Sequence, residues 1–101
     1  MSNHIAQMIM QQLGGNRFAA ITGAHSWASG DRSLSFRVPN AKNSIRGVVI
    51  ELNYNDLYTM RFVASRIKPT IEVYNVAEYS DLYDSQLQDI FTKETGLITH
   101  L

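Results

Sequence analysis

His4, His25 and His100 are the only imidazoles in the chain, and there is no cysteine. Metal binding by histidine needs at least two of these side chains at ligand spacing, such as His-x-x-x-His on one helix face, and none of the three intervals provides it. Without cysteine there is no thiolate nucleophile, no disulfide and no thiolate-held zinc or iron-sulfur centre. His25, Ser26 and Asp31 lie close together in sequence. Acyl transfer, however, needs a base oriented by a buried carboxylate, and closeness within a glycine-containing stretch does not create that geometry. Gly14-Gly15-Asn16-Arg17 follows a helical pattern, whereas a phosphate cradle opens one. The expectation is a noncatalytic protein with no cofactor and no metal.

Two kinds of recognition remain. Sheets that bind single-stranded nucleic acid interleave cations and aromatics on an open face. Arg37, Arg61 and Tyr74 are the candidates for such a face, with Arg17, Arg46, Arg66 and Lys68 towards strand ends. Glu51 and Glu72 on the same face would oppose it, as does a pI near 6.8. Protein contact draws on other residues. Met10, Trp27, Tyr54 and Tyr79 supply apolar and aromatic anchors, and Asp81, Asp84 and Asp89 give an acidic last helix that can meet a basic partner. Trp27 stands in a polar stretch, Gly23 to Asp31, and either folds back on the core or serves as a contact. Self-association into a homodimer is the simplest form of protein contact.

The net charge of zero conceals an asymmetry: residues 1–70 carry eight basic and three acidic side chains, or +5, and residues 71–101 carry one basic and six acidic, or −5. Such halves either neutralise each other across the fold or present opposite surfaces to partners.

These residues must be positioned by a few elements. The stretch Arg46 to Arg66 has two runs of alternation, Val48-Ile50-Leu52 and Tyr58-Met60-Phe62-Ala64, around Tyr54-Asn55-Asp56-Leu57, whose Asn and Asp tolerate a reversal. It predicts a central hairpin with those residues on the core face. Leu34, Phe36 and Val38 predict a strand ended by Pro39, and Thr70 to Val76 another after a turn at Ile67-Lys68-Pro69. RFAAIT at 17–22 reads as a fifth strand, and 23–31 as a loop. Residues 3–13 predict a helix capped by Ser2 or Asn3 and stopped by Gly14 and Gly15. Residues 82–95 predict a second helix capped by Ser80 or Asp81, buried through Tyr83, Leu87, Ile90 and Phe91, and ended by Gly96. The tail Ile98 to Leu101 is apolar enough to dock. The fold class expected is α+β: an antiparallel meander of about five strands, with N- and C-terminal helices on one face.

One domain is expected from 101 residues, of which 45% are hydrophobic and 18% charged, a composition that folds. No window approaches the roughly 18 apolar residues of a membrane span, and the first residues lack a signal peptide's charged and apolar regions. The expected setting is the cytoplasm, without a membrane partner.

QQLGGNRFAAITGA at 11–24, LSFRVPNAKN at 34–43 and LQDIFTKETGL at 87–97 resemble segments of small uncharacterised proteins encoded by bacteriophages and other mobile elements. The resemblance implies a bacterial host and an accessory role such as regulation or countering host defence. It assigns no activity to any residue. The function expected is that of a small protein-binding, self-associating module, with nucleic-acid binding through the basic sheet face as the alternative.

Overall fold

Five strands pair antiparallel in the order in which the chain makes them: β1 (His25–Ser29), β2 (Ser33–Arg37), β3 (Ile45–Leu52), β4 (Tyr58–Ile67) and β5 (Ile71–Leu82). The computed structural model describes residues 4–39, 41–67 and 71–97, with side chains at all of these except 43, 65–67 and 71–73. Three helices, α1 (His4–Leu13), α2 (Gly15–Thr22) and α3 (Leu87–Thr95), lie on one face of the sheet. The α+β meander expected from the sequence is the fold observed. Among the described residues no helix is long and apolar enough to cross a membrane.

Alternation decides which face is covered. Register places Phe36 opposite Val48 and Val48 opposite Phe62, while Leu34, Ile50 and Met60 form the next row. All six are buried. Successive strand residues point to opposite faces, so these rows form one continuous apolar layer. Ala6, Ile9 and Leu13 of α1, Phe18 of α2, and Leu87 and Phe91 of α3 close over it. Each fully buried Leu, Ile or Phe side chain contributes roughly 1.5–3 kcal/mol relative to exposure, so this layer outweighs any single polar contact in the molecule. Leu52, at the end of β3, is only partly buried.

The central hairpin turns as its residues dictate. Asp56 takes φ 65°, and Asn53 N–H donates to Leu57 O at 2.7 Å. Aspartate tolerates this left-handed conformation because its short side chain hydrogen-bonds locally.

Four expectations need correction. RFAAIT is helical and belongs to α2. Six residues with apolar positions on both parities fit either period, and two alanines favour the helix once Gly14 (φ 125°) and Gly15 (φ 62°) have turned the chain out of α1. The two glycines are therefore a joint between helices. Residues 23–31 are not a loop: they contain β1, whose polar and small side chains hide a strand that exists by pairing with β2. The number of strands expected is right, but a different segment supplies the first of them. Finally, 82–95 is not all helix. β5 runs to Leu82, so Ser80 and Asp81 are strand residues and not caps. A 3-10 turn at Asp84–Gln86 follows, fixed by Tyr83 N–H donating to the Gln86 side-chain oxygen at 2.8 Å, and α3 starts at Leu87. Gly96 does end that helix, at φ 77°, and Leu97 packs on the core. The Ser2 or Asn3 cap, the turn through Lys68 and Pro69, and the docked tail lie outside the described residues.

Bulges bend the sheet around its helices. Register shifts occur once in β1–β2, once in β3–β4 and twice in β4–β5. An extra residue on one strand raises local twist and reverses the parity of everything beyond it. That reversal alters the candidate sites.

Candidate functional site

Arg61 sits in the middle of the sheet face that none of the described helices covers. Glu78 faces it on β5, and Glu51 lies diagonally on β3; the guanidinium meets Glu51 at 2.5 Å and Glu78 at 3.5 Å. Cross-strand pairs of opposite charge stabilise a sheet but leave less charge for a ligand. The other basic candidates do not gather round it. Arg37 is exposed on the same face opposite Gly47, Arg46 is exposed where the β3 register shifts, and Arg17 is exposed on α2, in the helical layer. Tyr74 does not share the Arg61 face. The shift between Phe62 and Val63 inserts Val76 into β5, so Tyr74 comes to oppose Ala64 on the core side. Arg66 is placed only by its backbone in β4, and Lys68 lies outside the described residues.

The protein-contact candidates separate into four groups. Tyr54 is 91% exposed at the β3–β4 turn, and the Arg32 guanidinium lies 4.4 Å from its ring centre. Arg32 also donates to the carbonyls of Leu52 and Asn53, each at 3.0 Å, so the pair is tied to the turn. Asp81, Asp84 and Asp89 are exposed and lie at the end of β5, in the 3-10 turn and in the first turn of α3, so they do not form one acidic helix. Tyr79, expected as an exposed anchor, is engaged inside the fold. Its ring packs edge-on against Phe62 and its hydroxyl donates to the Glu94 carboxylate. That bond, then burial and the Glu94 charge, raises its pKa above the ordinary 10.0. The neighbouring Tyr83, expected in the buried stripe of the last helix, is 65% exposed. Tyr58 is buried; burial first, then the Asp84 and Asp56 carboxylates, raises its pKa.

Met10 and Trp27 are brought together. Trp27 folds back, its ring 4.7 Å from Phe36 and 6.4 Å from Phe18, yet keeps a partly exposed side. That side opens into a hollow of about 200 Å³ between α1 and the sheet edge. Ala6, Gln7 and Met10 of α1 form one wall, Trp27, Ala28 and Ser29 of β1 the other, and Leu34 lines it from β2. The tryptophan thus folds back on the core and keeps one side partly exposed. The wall has no ionisable group.

This absence of charge extends beyond the hollow. Of the chain's eighteen Asp, Glu, Lys and Arg residues, Arg17 is the sole one in residues 1–30. Depletion of charge is the compositional mark of an interface centre. It is the signal that points to Ala6, Gln7, Ala28 and Ser29, which motif reasoning misses because small and amide side chains carry no chemistry of their own.

β1 is also the edge of the sheet. Gly30 N–H donates to Ser33 O at 3.0 Å, so the backbone of Ser29, one residue back, faces away from β2. Among the described residues the hollow therefore combines apolar walls with a strand edge that no other strand pairs. That is the material of peptide and strand recognition: main-chain bonds along the edge, side-chain pockets beside it. His25 and Ser26 hydrogen-bond to each other on the surface at 2.9 Å, and Asp31 lines a separate hollow with Arg32 and Tyr54. Among the described residues no three His, Asp or Glu groups converge as metal ligands. No family model, curated protein or solved structure matches the chain.

Proposed function

We propose that the protein is a noncatalytic binding module that recognises protein through the groove between α1 and β1, acting in a bacterial host as an accessory factor of a phage or mobile element. The single observation that carries this reading is the convergence of Met10 and Trp27 on one uncharged hollow at an open sheet edge. Tryptophan is enriched among the residues that dominate interface energies, and methionine adapts to a partner's shape. The competing reading, nucleic-acid binding by the sheet face, has less support. Its most central cation, Arg61, is bridged to two carboxylates, and its aromatic, Tyr74, lies on the other parity.

The test is co-expression of a tagged and an untagged copy in a bacterial host, followed by capture after nuclease treatment. Retained proteins, the untagged copy included, are expected to survive nuclease and to be lost when the tagged copy carries Met10→Glu. Material that nuclease removes and Met10→Glu leaves untouched would favour the sheet face and overturn the groove.

A further inference from the structure

We infer that the occupant of this groove is a second copy of the same chain, the two β1 strands pairing antiparallel about a two-fold axis and the outer flanks of the two α1 helices meeting beside them. The inference rests on the groove being a protein-contact site and adds the identity of the partner.

Charge supplies the argument. An interface between identical surfaces sets every charge near the axis against its own copy, and like charges directly opposed on paired strands are destabilising. The two edges of this sheet differ in that respect. β5 carries Glu72, Glu78 and Asp81 along its length, so self-pairing would oppose acid to acid. β1, His-Ser-Trp-Ala-Ser, has no Asp, Glu, Lys or Arg, and neither has α1. Natural sheets protect edges with charge. Here one edge is protected and the other is bare, with an equally uncharged helix flank alongside.

Geometry agrees with the charge pattern. A strand meeting itself about a two-fold must run antiparallel, which is the pairing every strand of this sheet already uses. The outward backbone of Ser29 offers hydrogen-bonding groups to the partner. Gln7 is exposed on the α1 flank, and Met10 and Trp27 present apolar surface beside it over the buried Ala6. The register shift between His25 and Ala28, with Ser26 at φ 58°, shortens the straight edge. Strand pairing alone is therefore too brief for the interface, and the helix flank must share it.

Sedimentation velocity of the purified chain over a dilution series tests this. The expected result is reversible conversion between the 11.4 kDa monomer and a species of twice that mass. Ser29→Pro removes the outward N–H without touching the bonds to β2, and Met10→Glu adds a charge beside the axis. Each is expected to abolish the dimer while leaving the circular dichroism spectrum unchanged, whereas Asn75→Glu on β5, the opposite edge of the sheet, leaves dimerisation intact. A monomer at every concentration overturns the inference without needing any variant. So does a dimer that neither Ser29→Pro nor Met10→Glu weakens. Should capture from the host retain a foreign protein in a Met10-dependent way but never the untagged copy, the second-copy partner fails and the broader protein-contact reading stands.

Discussion

The helices α2 and α3 end in the same way and face different surroundings. Each closes on Phe-x-x-x-Thr-Gly: Phe18 to Gly23 in one, Phe91 to Gly96 in the other. Thr22 Oγ1 donates to Phe18 O and Thr95 Oγ1 to Phe91 O, both at 2.7 Å, and each hydroxyl then accepts an N–H two residues on at 3.2 Å. Gly23 and Gly96 sit at φ 76° and 77°, each donating its N–H to the carbonyl four residues back. A left-handed glycine satisfies the last carbonyls of a helix, and the threonine satisfies itself where burial would otherwise strand its hydroxyl. From these ends the chain diverges. α2 leads into the uncharged β1 edge, while α3 is reached from the acidic β5 edge and holds it through Tyr79 and Glu94. What differs between the two sides is therefore surface chemistry and not backbone construction, and the bare side is the one that forms the groove.

The largest effect is expected at the two phenylalanines that the two helix ends share, which meet edge-on with ring centres 5.0 Å apart. Both are fully buried, so Phe18→Ala and Phe91→Ala are each expected to lose about 3–5 kcal/mol in denaturant unfolding. A tolerated Phe18→Ala would mean that the groove side is not built into the common core.

A finer distinction lies at the glycines. Alanine at either position is forced into a left-handed conformation at a cost of about 1–2 kcal/mol. At Gly23 the new Cβ would also lie 2.9 Å from Pro39 Cγ, whereas at Gly96 it would meet only the flexible Lys42 chain at 3.4 Å. Gly23→Ala is therefore expected to be the more destabilising of the pair, measured as the difference in midpoint under identical conditions.

Smallest is the effect at Tyr79, on the acidic side. Its raised pKa means that the fold prefers the neutral phenol. The resulting stability is complete below the ordinary value of 10.0 and is lost as pH rises through the higher folded value. Tyr79→Phe is expected to cost about 1 kcal/mol at neutral pH and to make the alkaline loss of stability shallower, in thermal unfolding followed across pH. An unchanged alkaline limb would show that Tyr79 does not hold β5 to α3.

The sequence was most legible where one period stood alone. Val48, Ile50, Met60 and Phe62 alternate without ambiguity and are the centre of the core. Leu87 and Phe91, four apart and followed by Gly96, mark α3 for the same reason. RFAAIT misleads because it is too short to show its period, although its Phe18-Thr22-Gly23 spacing repeats that of Phe91-Thr95-Gly96 and would have identified the helix. β1 is illegible alone, since His-Ser-Trp-Ala-Ser owes its conformation to Ser35 and Leu34 across the ladder. Of the candidate contacts, Met10 and Trp27 were readable by type but not by proximity, because a helix and a strand that are distant in sequence meet only through the tertiary fold. The misplacement of Tyr74 has one cause, an inserted Val76 that no local pattern announces.

Amide hydrogen exchange of the purified protein, compared at high and low concentration, tests most directly whether the bare edge is the recognition surface. The Ser29 amide is expected to exchange slowly in the concentrated sample and to speed up on dilution, while the amides of β5 exchange at one rate throughout. Concentration-dependent slowing confined to β5, or none at either edge, would contradict the account.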